Sequence, residues 1–240
     1  TSDGGFVLSG TIRNDTVQGN IWIIKTDAQG NKSWDNILAS GSGFAIQETN
    51  NDGYIIVNTG PNLIKTDAQG NQQWSQTLGN GNHNIEYTVQ QTSDNGYVIF
   101  GEQEGITGTV ASLIKTDSQG NQIFNRIFGE LPGENFGSSA IQTTDGGYLL
   151  CGTNTSGACD PWVIKTDSQG DTVWIRIFSG FGDDFGKSVQ QTSNNDYIFG
   201  YTTSDNKIQL LKLTSIGDTV VWSKTFSGLG SASFWDESDK

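Results

Sequence analysis

Five times in 240 residues the chain returns to the same two phrases. The octapeptide IKTDAQGN occupies residues 24–31 and, unchanged, 64–71; IKTDSQGN follows at 114–121, IKTDSQGD at 164–171 and the diverged LLKLTSIGD at 210–218. The second phrase reads TSDGGF from residue 1, TNNDGY from 49, TSDNGY from 92, TTDGGY from 143 and TSNNDY from 192, at spacings of 48, 43, 51 and 49 residues. Repetition at such a period restricts the fold to an array of like supersecondary units, each burying its apolar face against the next.

Each unit has one grammar. A strand ends in a Gln-rich phrase such as QQT, and a turn leads into an apolar strand such as YLLCG. After a variable loop comes WVIKTD, and a D-x-x-G turn delivers TVWIRIF. Four short strands in about 48 residues predict an all-β, five-bladed β-propeller with four antiparallel strands per blade. The units run about 1–48, 49–91, 92–142, 143–191 and 192–240, read as a single domain over 1–240. Phe136 and Phe185 each open a first strand seven residues before the next marker Thr; seven residues beyond Phe234 is the place Thr1 would take in a circular chain. The C-terminal strand is therefore expected to complete the first blade and close the ring, which would remove exposed sheet edges. Its sequence, WDESDK, lacks the apolar residue that Ile46, Val89, Ala140 and Val189 supply in the other first strands.

A net charge of −13 argues against nucleic acid or anionic lipid as partners, and no apolar run reaches membrane-spanning length, so no membrane insertion is expected. Thr1 is not an initiator Met and no signal-peptide pattern is present, so a processed form or a fragment is expected, with any export signal outside it. Cys151, in an apolar run, and Cys159, eight residues on in a loop, either close a disulfide across a hairpin or remain a buried thiol and a loop thiol. Neither suggests a metal site, for which the chain offers one histidine, His83, and no cofactor is expected.

The octapeptide fits a turn that Asp27 opens and Gly30 closes in the left-handed conformation, as do Asp67 and Gly70, Asp117 and Gly120, and Asp167 and Gly170. A calcium loop would need alternating carboxylates that D-x-x-G-N lacks. Trp34, Trp74, Phe124, Trp174 and Trp222 hold one fourth-strand position, and Phe6, Tyr54, Tyr97, Tyr148 and Tyr197 one second-strand position. Both sets are expected to pack blade on blade, with sugar stacking the functional alternative. Lys25, Lys65, Lys115, Lys165 and Lys212 recur two residues before the turn Asp and read as exposed Lys–Asp neighbours. Gln47, Gln90, Gln91, Gln142, Gln190 and Gln191 fall on the strand expected to line a channel and to satisfy one another; Glu48 is the one acid in that set. The loops before that strand vary most, and Asn82, Asn84, Glu134, Asn135, Asp183 and Asp184 would gather there as a candidate binding face.

The pattern GGY…WVIKTDSQGN…W…F…QQT resembles the tandem β-propeller repeats of secreted and surface proteins of bacteria, Bacteroidota especially, and of some archaea. Its KTDxxGNxxW core is similar to quinoprotein propeller repeats, whose Trp docks on the neighbouring blade; no quinone site carries over. The resemblance implies an extracytoplasmic protein with a binding or structural role. The functional expectation is a non-enzymatic extracellular propeller that binds protein or joins a cell-surface assembly. A multivalent lectin with equivalent pockets between blades is the alternative. A glycosidase, which needs two carboxylates set apart from their counterparts, comes last.

Overall fold

The computed structural model describes residues 1–14, 17–58, 62–78, 85–105, 108–129, 133–180 and 182–228. Among them the chain is all-β, arranged in five antiparallel sheets. The first contains β1 (Phe6–Asn14), β2 (Val17–Thr26) and β3 (Lys32–Ser40); the second β4 (Gly43–Glu48), β5 (Tyr54–Asn58), β6 (Asn62–Thr66) and β7 (Gln72–Thr77). The third contains β8 (Ile85–Gln91), β9 (Tyr97–Gly105), β10 (Gly108–Thr116) and β11 (Gln122–Phe128); the fourth β12 (Asn135–Gln142), β13 (Tyr148–Asn154), β14 (Asp160–Thr166) and β15 (Thr172–Ile177). The fifth contains β16 (Phe185–Gln191), β17 (Tyr197–Thr202), β18 (Ile208–Leu213) and β19 (Val220–Phe226). Strands pair in chain order within every sheet, the meander expected of a propeller blade. The segment expected to complete the first sheet, from Phe234 onward, lies outside the described residues.

The chain forms two compact units, residues 1–99 with 114–125, and residues 100–113 with 126–240. In the first, Ile21 and Ile23 of β2 pack with Tyr54, Ile56 and Ile64 of the second sheet, and Val7 and Trp34 join them. On the other face of the second sheet, Ile55, Val57 and Leu63 meet Tyr97, Ile99 and Ile114. In the second unit, Leu149, Cys151 and Val163 of the fourth sheet pack on Val189, Tyr197, Phe199 and Leu211 of the fifth. The middle strands are thus covered on both faces: all of β5 and β13 is buried, and so is nearly all of β6 and β14. Such strands read as continuous apolar runs, while the solvent-lapped fourth strands β7 and β15 alternate.

The disulfide does not form: both thiols are free. Cys151 pairs in register with Val163, and the hairpin runs on to Asn154 opposite Asp160. Cys159 therefore lies about four residues farther along the hairpin, roughly 13 Å at strand rise, beyond the reach of a disulfide. Full burial pushes the Cys151 thiol well above its ordinary range, and burial together with Asp183 raises that of Cys159.

Candidate functional site

Two kinds of turn stand at one end of each sheet: the marker turn before the second strand and the octapeptide turn between the third and fourth. In the octapeptide, Asp27 accepts hydrogen bonds from the backbone N–H of Gln29 (2.9 Å) and Asn31 (2.8 Å), and its other oxygen accepts from the Asn31 amide (2.9 Å). Asp67 and Asp117 repeat all three bonds, and Asp167 accepts from Gln169 and Asp171 N–H. The Asn bonds hold Asp27, Asp67 and Asp117 below the usual carboxylate range. Gly30, Gly70, Gly120 and Gly170 all have positive φ, 79–82°. These carboxylates are used up by their own turns.

The turn glycine has a second function that the sequence conceals. A β-carbon added to Gly70 would lie 2.6 Å from Cζ3 of Trp34, and one added to Gly120 would lie 2.7 Å from Cζ3 of Trp74; Gly217 meets Trp174 in the same way. Each Trp of one sheet lies over the bare glycine of the following sheet. It also tilts onto that sheet's second-strand Tyr: Trp34 on Tyr54 at 5.8 Å, Trp74 on Tyr97 at 6.0 Å and Trp174 on Tyr197 at 6.1 Å between ring centroids. Phe124 and Trp222 are half-buried at the corresponding positions. These three pairs join neighbouring sheets.

The lysines depart from expectation. Lys25, Lys65, Lys115 and Lys165 are buried, not exposed, each 2–5% accessible. Each stands opposite the fourth-strand aromatic where the register is defined, as in Lys25–Trp34, Lys65–Trp74 and Lys165–Trp174, so both side chains point toward the next sheet. The ammonium emerges at the marker turn and donates to the carbonyl of the following Thr at 2.7 Å in all four repeats. Its acid is the marker Asp, not the octapeptide Asp: Asp3 at 2.7 Å, Asp94 at 2.9 Å and Asp145 at 2.9 Å. That Asp also accepts from the marker Thr hydroxyl and from the Gly N–H two residues on. In the fifth repeat Asp196 takes the role for Lys212 at 2.9 Å. The second repeat has Asn51 at the Asp position, and among the described residues Lys65 donates only to the carbonyls of Asp52 and Thr66. Desolvation without a carboxylate partner lowers the Lys65 pKa.

The Gln set follows its reading only in part: Gln47 accepts from Gln91 N–H at 2.6 Å, but other members bond elsewhere. The last residue of a first strand reaches the marker turn of the preceding sheet: Asn50 N–H donates to Gln91 (2.7 Å) and Thr144 N–H to Gln191 (2.9 Å). In the first unit Glu48 takes the same place and accepts from both the backbone N–H (2.6 Å) and the hydroxyl (2.9 Å) of Ser2.

At the opposite end, the candidate loop face divides. Asn82 and Asn84 lie outside the described residues. Asn135 is buried and accepts from the Asn154 amide at 2.9 Å, and Asp184 is buried and accepts from Ser204 N–H at 2.8 Å. Asp183 is exposed and accepts from Cys159 N–H at 3.0 Å; Glu134 is exposed and its backbone bonds Thr155. Asn135 and Asp184 thus brace the loops from inside.

Concave surface occurs instead at the marker end. A cleft of about 250 Å³ in the first unit is lined by Asp3, Lys25, Trp34, Glu48, Asp52 and Tyr54, among others. Its counterpart in the second unit, about 410 Å³, is lined by Asp145, Lys165, Asp167, Ser168, Trp174 and Ser215, among others. Both comprise the marker Asp, the buried Lys and the Trp of one sheet facing an octapeptide turn of the next. Among the described residues no group of His, Cys, Asp and Glu is arranged to hold a metal.

No protein-family model matches the chain, and no curated protein matches it in sequence. Solved structures do match in fold. BamB from Moraxella catarrhalis aligns over 89% of this chain and 62% of its own, with TM-score 0.53 and 16% identity. The WD40 β-propeller domain of Doa1 aligns over 91% and 68%, with TM-score 0.57 and 12% identity. The Dos1 propeller aligns over 92% and 59%, with TM-score 0.61 and 14% identity. The chain spans about three-fifths of the length of these structures, and at such identities the likeness concerns fold alone: this is an all-β propeller of five sheets.

Proposed function

We propose that this chain is a non-enzymatic propeller that acts as a protein-interaction scaffold outside the cytoplasm, on its own or within a cell-surface assembly. One observation carries the reading: the polar residues that recur in every repeat are consumed in holding turns and neighbouring sheets together. Specificity then belongs to the surfaces that differ between repeats, which suits recognition of a partner better than a single catalytic centre. The acidic composition and the likeness to WD40-type and BamB propellers support it. Cross-linking on the native surface followed by pull-down is expected to recover one partner at stoichiometric yield. Failure to recover a specific partner would sink the reading.

A second reading, multivalent glycan binding, is favoured by the recurrence of the Trp-walled cleft at Trp34 and Trp174. Calorimetry would then show several equivalent weak sites per chain.

A further inference from the structure

The two clefts share a framework and differ in charge. At the last position of the first strand, Gln91, Gln142 and Gln191 are neutral, and only Glu48 is an acid. At the fourth position of the marker turn, Gly4, Asn95, Gly146 and Asn195 are neutral, and only Asp52 is an acid. Both exceptions line the same cleft, beside Asp3, Lys25, Trp34 and Tyr54.

Neither acid is required by the backbone. All five residues at this marker position, Gly4, Asp52, Asn95, Gly146 and Asn195, stand at positive φ, where Asn and Gly are at least as suitable as Asp. The bond that Glu48 accepts from Ser2 N–H is made by Gln91 and Gln191 with a neutral side-chain oxygen. The Asp52 carboxylate is exposed and makes no hydrogen bond or ion pair among the described residues. Three carboxylates line this cleft with one ammonium, Lys25, which is already paired with Asp3; a second ammonium, Lys65, which is not part of the lining, donates to the Asp52 carbonyl at 3.0 Å and feels the Asp52 charge. Their field reaches the aromatic wall: burial chiefly, then Glu48 and Asp3, raises the Tyr54 pKa. Trp34 is half-buried and is one of the residues that line the cleft.

We infer that the cleft between the first and second sheets receives a lysine or arginine side chain of the partner protein. Glu48 and Asp52 supply the excess negative charge and the Trp34 ring a cation–π wall. The inference rests on the scaffold reading and gives it a location and a chemistry. Charge complementarity selects the occupant: the hydroxyls of a neutral sugar can donate to Gln and Asn oxygens as well as to carboxylates, whereas a cation gains from the charge that sets this cleft apart from its counterpart.

The probe is a tri-arginine peptide titrated into the full chain at low ionic strength and followed by ¹H–¹⁵N NMR, with tri-glutamate as control. Saturable shifts at the Trp34 indole and the Ser2 and Gly53 amides are expected, abolished at high salt. The double variant Glu48→Gln, Asp52→Asn should weaken binding at least tenfold. The reciprocal variant Gln191→Glu, Asn195→Asp should create a second site at Trp174, a gain that misfolding cannot mimic. Unchanged affinity in the first variant, shifts confined to other residues, or no gain in the second would overturn the inference. In the surface pull-down, a partner captured equally by wild type and by Glu48→Gln, Asp52→Asn ends this inference and leaves the scaffold reading standing; no partner with either bait ends the scaffold reading.

Discussion

The two letter-for-letter copies of IKTDAQGN fold alike and live differently. At 24–31 the lysine has a carboxylate 2.7 Å away, and among the described residues nothing lies within 4 Å of where a β-carbon on Gly30 would stand. At 64–71 the lysine is equally buried without an acid partner, and Gly70 lies against Trp34. Identical octapeptides thus share their internal hydrogen bonds and owe their remaining energetics to residues some 14 to 36 positions away, Asn51 and Trp34 for the second copy and Asp3 for the first. A repeat is specified locally for shape and by its neighbours for stability.

The glycines separate the copies most. Gly30→Ala should cost about 1 kcal/mol, the strain of a left-handed alanine. Gly70→Ala adds overpacking against the Trp34 ring and should cost about 3 kcal/mol in urea denaturation. Equal losses would mean that the Trp34 contact is dispensable. Next in size, Asn51→Asp supplies Lys65 with the acid that Lys25, Lys115 and Lys165 possess, and should raise the melting midpoint by about 2–4 °C.

Two pH effects are smaller. Lys65 has a lowered pKa in the fold, so its burial penalty is present in full while it stays charged and fades as pH rises from that lowered value toward 10.5. Wild type should therefore gain on Lys65→Met through the alkaline range, and Asn51→Asp should flatten that gain. Asp94 acts in the opposite direction. Partial burial opposes its ionisation, but hydrogen bonds from Thr92 and Lys115 prevail and bring its pKa down to about 2. Its contribution is whole above about pH 4 and is lost as pH falls toward 2, so Asp94→Asn should show a shallower acid limb in thermal melts.

Strand order and the turn chemistry of Asp27 and Gly30 were legible because each follows from a pattern within one unit. The acid that serves Lys25 was not. Asp27 is the nearer carboxylate in sequence, yet its lone pairs go to Asn31 and Gln29, and the hairpin carries Asp3 to the ammonium across 22 residues. The burial of Asn135 and Asp184 was hidden for a related reason: a polar loop phrase does not reveal that Asn154 and Ser204 wait beneath it. The seat of Trp34 on Gly70 is invisible in sequence, since the glycine is already explained by its own turn. The one deviation that did show, Glu48 among the glutamines, gained meaning only when Asp52 was found in the same cleft.

The bond from Asn50 to Gln91, and its equivalents at Ser2 and Thr144, join one unit's turn to the next unit's strand, as do Trp and glycine. The second copy carries both halves of this joint, Glu48 at one border and Asn50 at the other. A duplicated stretch of gene therefore arrives already able to dock against its parent, with no compensating change required in either. Such a lineage can lengthen or shorten in steps of one unit while its loops drift freely, and near-verbatim phrases beside divergent loops are the record that history would leave.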